Sequence, residues 1–395
     1  TMRKRDVIGA SSVVRSKDIA VAPVASAAEA IIGRMSGVQV SVTEGQPGAE
    51  IVLKIRGGTS ISQDNSPLYI IDGFPSDEGL RNLSPSDIES IDVLKDASST
   101  AIYGARGANG VVLITTKKGA EGTSSVNYDG WAGFRTLGRK LDVMNNKEFL
   151  RYQYERQGSV DGPSETFLRR YGPWDMFDRY DAIESINWQD RVLGGNAYYQ
   201  NHNVSISGGT KTTNYRLSYS RNDEEGLLVG NGYSRDVFLM KLNQTVNDRL
   251  KFSTNVNYSI SNVRGGGTSE GSILQNVVMY RPTTGLGHPT LPPADDEVSW
   301  QELLDMDYDE VAGLVNIETQ SLAQHRLDAR KTLSLNANLD YKLAEGLTLS
   351  LLGGMTTNNR RQEAFDDLRG SEMRTKGGPF GYIRLTERTK YNNTS

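Results

Sequence analysis

The chain has 395 residues, a formal net charge of −4, 41 glycines, 18 tyrosines and no cysteine. The length accommodates two domains. The negative balance argues against general nucleic-acid binding, and the lack of thiols excludes disulfides, thiolate catalysis and cysteine-ligated metals.

The first ten residues, TMRKRDVIGA, are basic, but no apolar segment follows as a signal peptide requires. The chain is therefore expected to be a mature or incomplete piece. Residues 1–120 read as a small α/β unit. In SAAEAIIGRMSG, Ser26 with Glu29 three residues on forms a capping-box pattern, and Gly37 suits a helix C-terminus. Short strands are predicted in GVQVSV, IVLKIRG, PLYIIDG and SIDVLKD, with a polar loop, GTSISQDNS, between the second and third. Ser84 and Pro85 offer an N-cap and a first helical position.

VLKDASSTAIYGARGANGVVLITTKKG, residues 93–119, carries Gly104, Gly107 and Gly110 in a G-x-x-G-x-x-G run. A phosphate-binding loop would need Gly-Lys-Ser/Thr after the glycines, and a dinucleotide site would place them between a strand and a helix. Here Asp96 is placed to cap a short helix, Gly104 to end it, and the glycines precede the β-branched run GVVLITTK. They read as turn and packing positions.

Beyond residue 120 the pattern has a period of two. In KFSTNVNYSI, Phe252, Val256, Tyr258 and Ile260 share one face and Lys251, Ser253, Asn255, Asn257 and Ser259 the other. KTLSLNANLDYKL, SVNYDGWAGFRT, QNHNVSISGG, NYRLSYSR, DVFLMKLNQTV and LTLSLLGGMTT read the same way. Short links (GTKTT, NDR, AEG) alternate with long ones, 137–197 and 262–327. This is the signature of an outer-membrane barrel, whose mean hydropathy stays low (here −0.49) because only alternate residues meet lipid. No apolar run of about 18 residues offers a transmembrane helix. A β-sandwich with a polar outer face is the rival. If the strands form a barrel, it must close. Eight strands would fill with side chains alone, so either the first domain sits outside a small barrel or the chain covers part of a large one.

Five stretches carry a resemblance: PVASAAEAIIGRMSGVQV, GQPGAEIVLKIRGGTSI, PLYIIDGFP, DIESIDVLKDASSTAIYGARGANGVVLITTKKG and KLDVMNNKEF. They span most of residues 20–150 and resemble the SusC/RagA class of TonB-dependent outer-membrane transporters. The resemblance implies an α/β plug domain over 1–120 followed, over 121–395, by the first antiparallel strands of a transmembrane β-barrel. In the family that barrel has twenty-two strands. It also implies import of oligosaccharides, glycans or peptides, with no cofactor and no catalysis. The implied partners are a SusD-like lipoprotein, TonB with its inner-membrane motor, and outer-membrane lipid. The family's Val-rich TonB box, which precedes residues like RKRDVIGA, is not in this sequence. That keeps a non-transporting receptor or scaffold as the alternative.

Within this frame Arg56 and Arg106 are candidates for a lock between plug and barrel, pairing with barrel glutamates that can be pulled apart. Solvation at the plug surface is the plain alternative. Thr59, Ser60, Ser62, Gln63, Asp64 and Asn65 are read as an apical loop that meets substrate, or as a solvated turn. Gly57, Gly73, Gly104, Gly107 and Gly110 are expected to shape tight plug turns. Trp131, Tyr215, Tyr219 and Tyr258 are candidates for an interfacial girdle. NDEEG and ADDEV are read as solvated loops rather than calcium sites. The three histidines, His202, His288 and His325, are scattered and suggest no metal or catalytic set.

Overall fold

The computed structural model describes residues 11–19, 26–42, 45–49, 51–55, 65–122, 124–157, 163–265, 273–283, 308–309, 314–367 and 382–394. The first unit holds β1 (Ser11–Arg15), β2 (Val38–Val42), β3 (Ile51–Ile55), β4 (Leu68–Ile71), β5 (Phe74–Ser76), β6 (Ile88–Leu94) and β7 (Val111–Thr116). Five of these form one mixed sheet in the order β1-β6-β7-β4-β5, and β2 pairs with β3. The apolar run of β6 is buried almost throughout, with Ile88, Ile91 and Val93 packing on Ile31, Leu53, Val112 and Ile114.

The helix expected from Ser26 onward is reduced to a 3-10 turn, Glu29–Ile31. Ala27, Ala28, Ala30 and Ile31 are all buried, so burial there is contiguous rather than one-sided. Gly33 and Gly37 both take positive φ, which stops helix propagation. Ser26 Oγ accepts from Ala28 N at 3.2 Å. The helix expected after Asp96 is a single turn, Ala97–Thr100, running into a kink at Gly104; Asp96 holds the N-cap position without a side-chain cap hydrogen bond.

The second unit holds β8 (Ser124–Arg135), β9 (Ala197–Gly209), β10 (Thr213–Glu225), β11 (Gly232–Thr245), β12 (Leu250–Arg264), the two-residue pair β13 (Tyr308–Asp309) and β14 (Leu314–Val315), β15 (Gln324–Ala344), β16 (Leu347–Asp366) and β17 (Tyr382–Thr394). Eight of them make one antiparallel sheet in the order β17-β16-β15-β12-β11-β10-β9-β8. Its outer strands, β8 and β17, do not pair with each other among the described residues. The sheet is therefore an open stretch of wall, not a closed eight-stranded barrel.

Its burial is inverted relative to a β-sandwich. Along β9 to β12 the polar face is covered: Asn203, Ser205, Ser218, Ser220, Asn222 and Ser259 are all at most 3% exposed. The alternate apolar side chains face outward, with Val204 41%, Leu217 37%, Tyr219 48% and Phe238 43% exposed. Only a lipid-facing sheet places its apolar face outside and packs its polar face on something else. Here the polar face packs on the first unit.

The outward face is layered. Tyr128, Val204, Tyr219, Phe238, Tyr258 and Leu333 occupy one level across six strands. The next outward-facing level toward the long loops contains His202, Arg221, Asp236 and Lys331. An aromatic row beside a charged row marks a membrane interface. From Tyr258 back to Leu250 the strand rises ~26 Å at ~3.3 Å per residue; tilted by ~40°, this spans ~20 Å of an apolar band ~25 Å tall. Tyr219 and Tyr258 sit in the girdle position. Trp131 does not: it pairs in register with the buried Asn201 and so belongs to the inner face.

The long connections fold into helices. Asn146–Gln157, Glu165–Tyr171 and Trp174–Ala182 close on Phe149, Leu150, Phe167, Tyr171, Phe177 and Tyr180. Trp188, Leu228, Ile273 and Ile317 then join three separate connections in one further cluster.

Candidate functional site

The site is the seam between the plug-like unit and the polar inner face. Asp72 and Gly73 form the two-residue turn between β4 and β5, with φ of 50° and 96°. Both positive values match the hairpin turn for which Asp-Gly is suited. The turn presents the Asp72 carboxylate to the wall, where Lys241 Nζ lies 2.8 Å away, the side chains being 11% and 7% exposed. Asp72 also accepts from Thr116 N at 3.0 Å, Thr116 Oγ1 at 2.5 Å and Asn255 Nδ2 at 2.9 Å. Lys241 also donates to Thr116 Oγ1 at 2.7 Å.

A second buried pair lies at the 3-10 turn Pro85–Asp87. Arg216 Nη2 donates to Asp87 Oδ1 at 3.0 Å and Ser218 Oγ donates to Oδ2 at 2.8 Å. Asp87 is 1% exposed and Arg216 6%. Ser84, expected to cap this turn, makes no cap; its Oγ instead donates to Ser220 Oγ on the wall at 3.1 Å. Arg235 Nη1 and Asn257 Nδ2 donate to the carbonyls of Arg81 and Asn82, at 2.9 and 3.0 Å.

The buried ion pairs across this seam among the described residues have the acid on the plug side and the base on the wall, opposite to the arrangement expected for Arg56 and Arg106. Arg56 lies outside the described residues, with Gly57, Thr59, Ser60, Ser62, Gln63 and Asp64. Arg106 is 62% exposed and stands 3.6 Å from Asp77 of its own unit. Asn65 is half-buried at the edge of the described region. Gly73, Gly104 and Gly110 have positive φ, whereas Gly107 does not. Gly107 is needed for space, since a Cβ there would meet the Thr100 carbonyl at 3.0 Å.

Two further glycines were not singled out by sequence. Gly48, with φ +72°, lies against the Tyr233 ring of the wall, and Gly119 passes between the carbonyl oxygens of Gly208 and Tyr215. The acidic stretch 222–225 is strand rather than loop. Its Glu224 is bonded by Arg135 at 2.7 Å and by Asn222 Nδ2 at 2.7 Å, and its Asp223 by Arg221 at 3.2 Å. ADDEV lies outside the described residues.

Two cavities flank the seam. One of about 410 Å³ lies on the short-turn side of Asp72 and Lys241, beside Tyr103, whose phenol burial pushes above its ordinary pKa. The other, about 1260 Å³, opens toward the long loops between the plug-like unit (Tyr69, Asp77, Arg106) and the wall (Arg135, Arg235, Arg360).

A polar-faced sheet with an apolar exterior, plugged from within by an α/β unit held through ion pairs, defines a plugged membrane β-barrel over the part described. The TonB-dependent Receptor Plug Domain family matches residues 3–111. The chain is 30% identical over 407 residues to TonB-dependent receptor P26 of Formosa agariphila, covering 100% of this chain and 38% of that protein. It is 31% identical over 292 residues to TonB-dependent receptor SusC of Bacteroides thetaiotaomicron, covering 71% of this chain and 27% of that one. The RagAB peptide importer in its closed-closed state superposes with a TM-score of 0.76 at 24% identity, over 98% of this chain and 44% of that chain. The chain thus spans under two-fifths of the length of these curated relatives. It is a SusC/RagA-like TonB-dependent receptor chain, comprising the plug and the first part of the barrel.

Proposed function

We propose that the protein carrying this chain imports oligosaccharides, glycans or peptides across the outer membrane, drawing energy through TonB and working beneath a SusD-like surface lipoprotein. The observation that carries the reading is the seam itself: a polar, ion-paired plug seated on the polar side of a lipid-facing sheet. Such a seam seals the pore yet can exchange its contacts for water when the plug is displaced. The relatives, a receptor called TonB-dependent and an importer of peptides, support it. In this reading residues 59–65 form the apical loop that meets substrate. Arg56 and Arg106 add arginine contacts to the seal, and residues 1–120 act as the moving domain. No nucleotide site is needed, because the energy is supplied from outside the chain.

Vesicles holding the full-length protein test the reading. Substrate accumulates only when TonB and a proton gradient are both present. Uptake at the same rate without TonB would refute it.

A further inference from the structure

The strand register builds a row of arginines at one level of the inner wall. Arg388 stands opposite Arg360, Arg360 opposite Arg330, Arg330 opposite Ser261, and Ser261 opposite Arg235. The same level continues through Asn222 and Asn201 to Trp131. Arg235, Arg330 and Arg360 line the large cavity, and Lys390 lines it two residues along from Arg388. Arg81 and Arg106 reach it from the plug.

Like charges directly opposite on neighbouring strands repel, so three guanidinium groups on three adjacent strands require negative charge among them. Asp328 is shared: it takes hydrogen bonds from Arg330 at 2.8 Å and from Arg360 at 2.7 and 2.9 Å. Asp77 is shared too, standing 3.6 Å from both Arg106 and Lys390. Among the described residues, seven cationic side chains line the cavity against the four carboxylates of Glu29, Asp77, Glu78 and Glu224. With Asp328 counted as a fifth carboxylate, the positive excess remains.

The other chemistry is aromatic, with Trp131 at this level and Tyr199 and Tyr233 at the next inward level, opposite Glu224. Trp131 and Tyr199 meet edge to face at 5.3 Å, Arg135 lies over the Tyr199 ring at 4.7 Å, and Tyr233 lines the cavity. Flat aromatic faces suit the C–H faces of sugar rings. Guanidinium forks suit carboxylate and sulfate. Adjacent strands lie ~4.8 Å apart, so β15, β16 and β17 offer one fork each at a spacing close to the repeat of an extended sugar chain, with Ser261 on β12 standing between them and Arg235.

We propose that this vestibule selects an anionic oligosaccharide, one bearing carboxylate or sulfate groups on successive sugars. The proposal rests on the import reading above and names its substrate class.

The test measures binding to the full-length protein in detergent, with four labelled probes of equal length: an oligogalacturonate, a sulfated oligosaccharide, a neutral oligosaccharide and an oligoglutamate peptide. At least one anionic glycan binds tenfold or more tighter than both the neutral glycan and the peptide, and its affinity falls with added salt. The two anionic arms decide between carboxylate and sulfate. R330Q/R360Q loses at least tenfold for the anionic glycan, the loss expected of charge-assisted hydrogen bonds, and leaves the neutral glycan unchanged. R330K/R360K, which keeps the charge but loses the fork and guards against misfolding, binds the anionic glycan between the wild type and R330Q/R360Q. Equal binding of the neutral glycan, tighter binding of the peptide, or binding of none of the four overturns the proposal. TonB-dependent uptake of a neutral glycan or peptide would leave the import reading standing, whereas TonB-independent uptake would remove that reading itself.

Discussion

Asp72→Asn isolates the electrostatics of the plug–wall seam. Asparagine tolerates the positive φ of 50° at this position, so the turn and the side-chain shape are kept while the charge is lost. Lys241, 7% exposed, is left without the carboxylate at 2.8 Å. Breaking one side of a buried pair costs on the order of 3–5 kcal/mol. Lys241 keeps Thr116 Oγ1 at 2.7 Å and the Thr116 carbonyl at 3.3 Å, so the lower end applies. About 3 kcal/mol is roughly a hundredfold shift toward the unseated plug. In the full-length protein D72N is expected to raise passive conductance in planar bilayers and to speed hydrogen exchange across residues 68–76, with normal amounts in the membrane. D72N/K241M removes both charges and should recover part of the loss, because no buried charge is then stranded. Wild-type conductance and exchange in D72N, or a double variant no better than the single one, would show that the pair does not hold the plug.

Gly119→Ala should hinder assembly more than Gly104→Ala. At Gly119 a Cβ would overlap two wall carbonyl oxygens, whereas at Gly104 it meets nothing within 4 Å and costs only backbone strain at φ 58°; heat-modifiability on gels reads the difference. Ala337→Arg, in the middle of the apolar band, is expected to destabilise the full barrel by ~2–4 kcal/mol, whereas the charge that Lys331 already carries in the interfacial row costs ~0–1; urea unfolding of A337R and K331L in lipid compares the two depths. Lys147 holds Asp178 and Asp181 at 2.8 and 2.9 Å in the first long connection. Its hydrogen bond lowers the Asp178 carboxyl below its ordinary 3.8. A lowered carboxylate stabilises above its unfolded value and loses that contribution as pH falls through the folded one. Hydrogen-exchange protection around residues 146–182, taken relative to the intrinsic rate at each pH, should therefore fall slightly below about pH 4 and stay level from there to neutrality.

The wall was legible because lipid on one side and a polar interior on the other enforce strict alternation, as at 251–260 and 332–343. β17 was not. Its outward positions Ile383 and Leu385 are followed by Glu387 and Thr389, and its inward ones are Arg384, Thr386, Arg388 and Lys390, so polar residues fall on both faces. The folded connections were read only as long links, although Asn187 and Asn316 each cap a helix with a side-chain oxygen that accepts from two backbone amides. The lock was hidden for another reason. Asp72 in IIDGF reads as a turn residue and Lys241 in FLMKLN as a lone charge in an apolar strand; nothing local says that they meet. The arginine row is spaced irregularly in sequence, at 235, 330, 360 and 388, and becomes a row only through pairing register.

The position of the locks orders the release of the plug. Asp72 bonds Thr116 at the end of β7, and the Asp87 carbonyl accepts from Lys117 N at 2.8 Å. Both locks therefore converge on residues 116–117, just before Gly119 packs against the Gly208 and Tyr215 carbonyls of the wall. β1 lies at the other extreme, an edge strand held to the sheet, among the described residues, by pairing with β6 over residues 11–15 and by the buried Val14. On the import reading, force enters from the N-terminal side and reaches β1 first. Peeling an edge strand breaks its hydrogen bonds in succession, each with a net worth of about 0.5–1.5 kcal/mol. Dislodging Asp72 or Asp87 requires stranding a buried charge at several times that cost. Pulling on the N-terminus should therefore free β1 at low force while the locked part of the plug stays seated, and D72N should lower the later force step but not the first. Single-molecule pulling on the membrane-embedded full-length protein separates the two steps. A single step containing both, or a first step that D72N weakens, would mean that the plug leaves as one body.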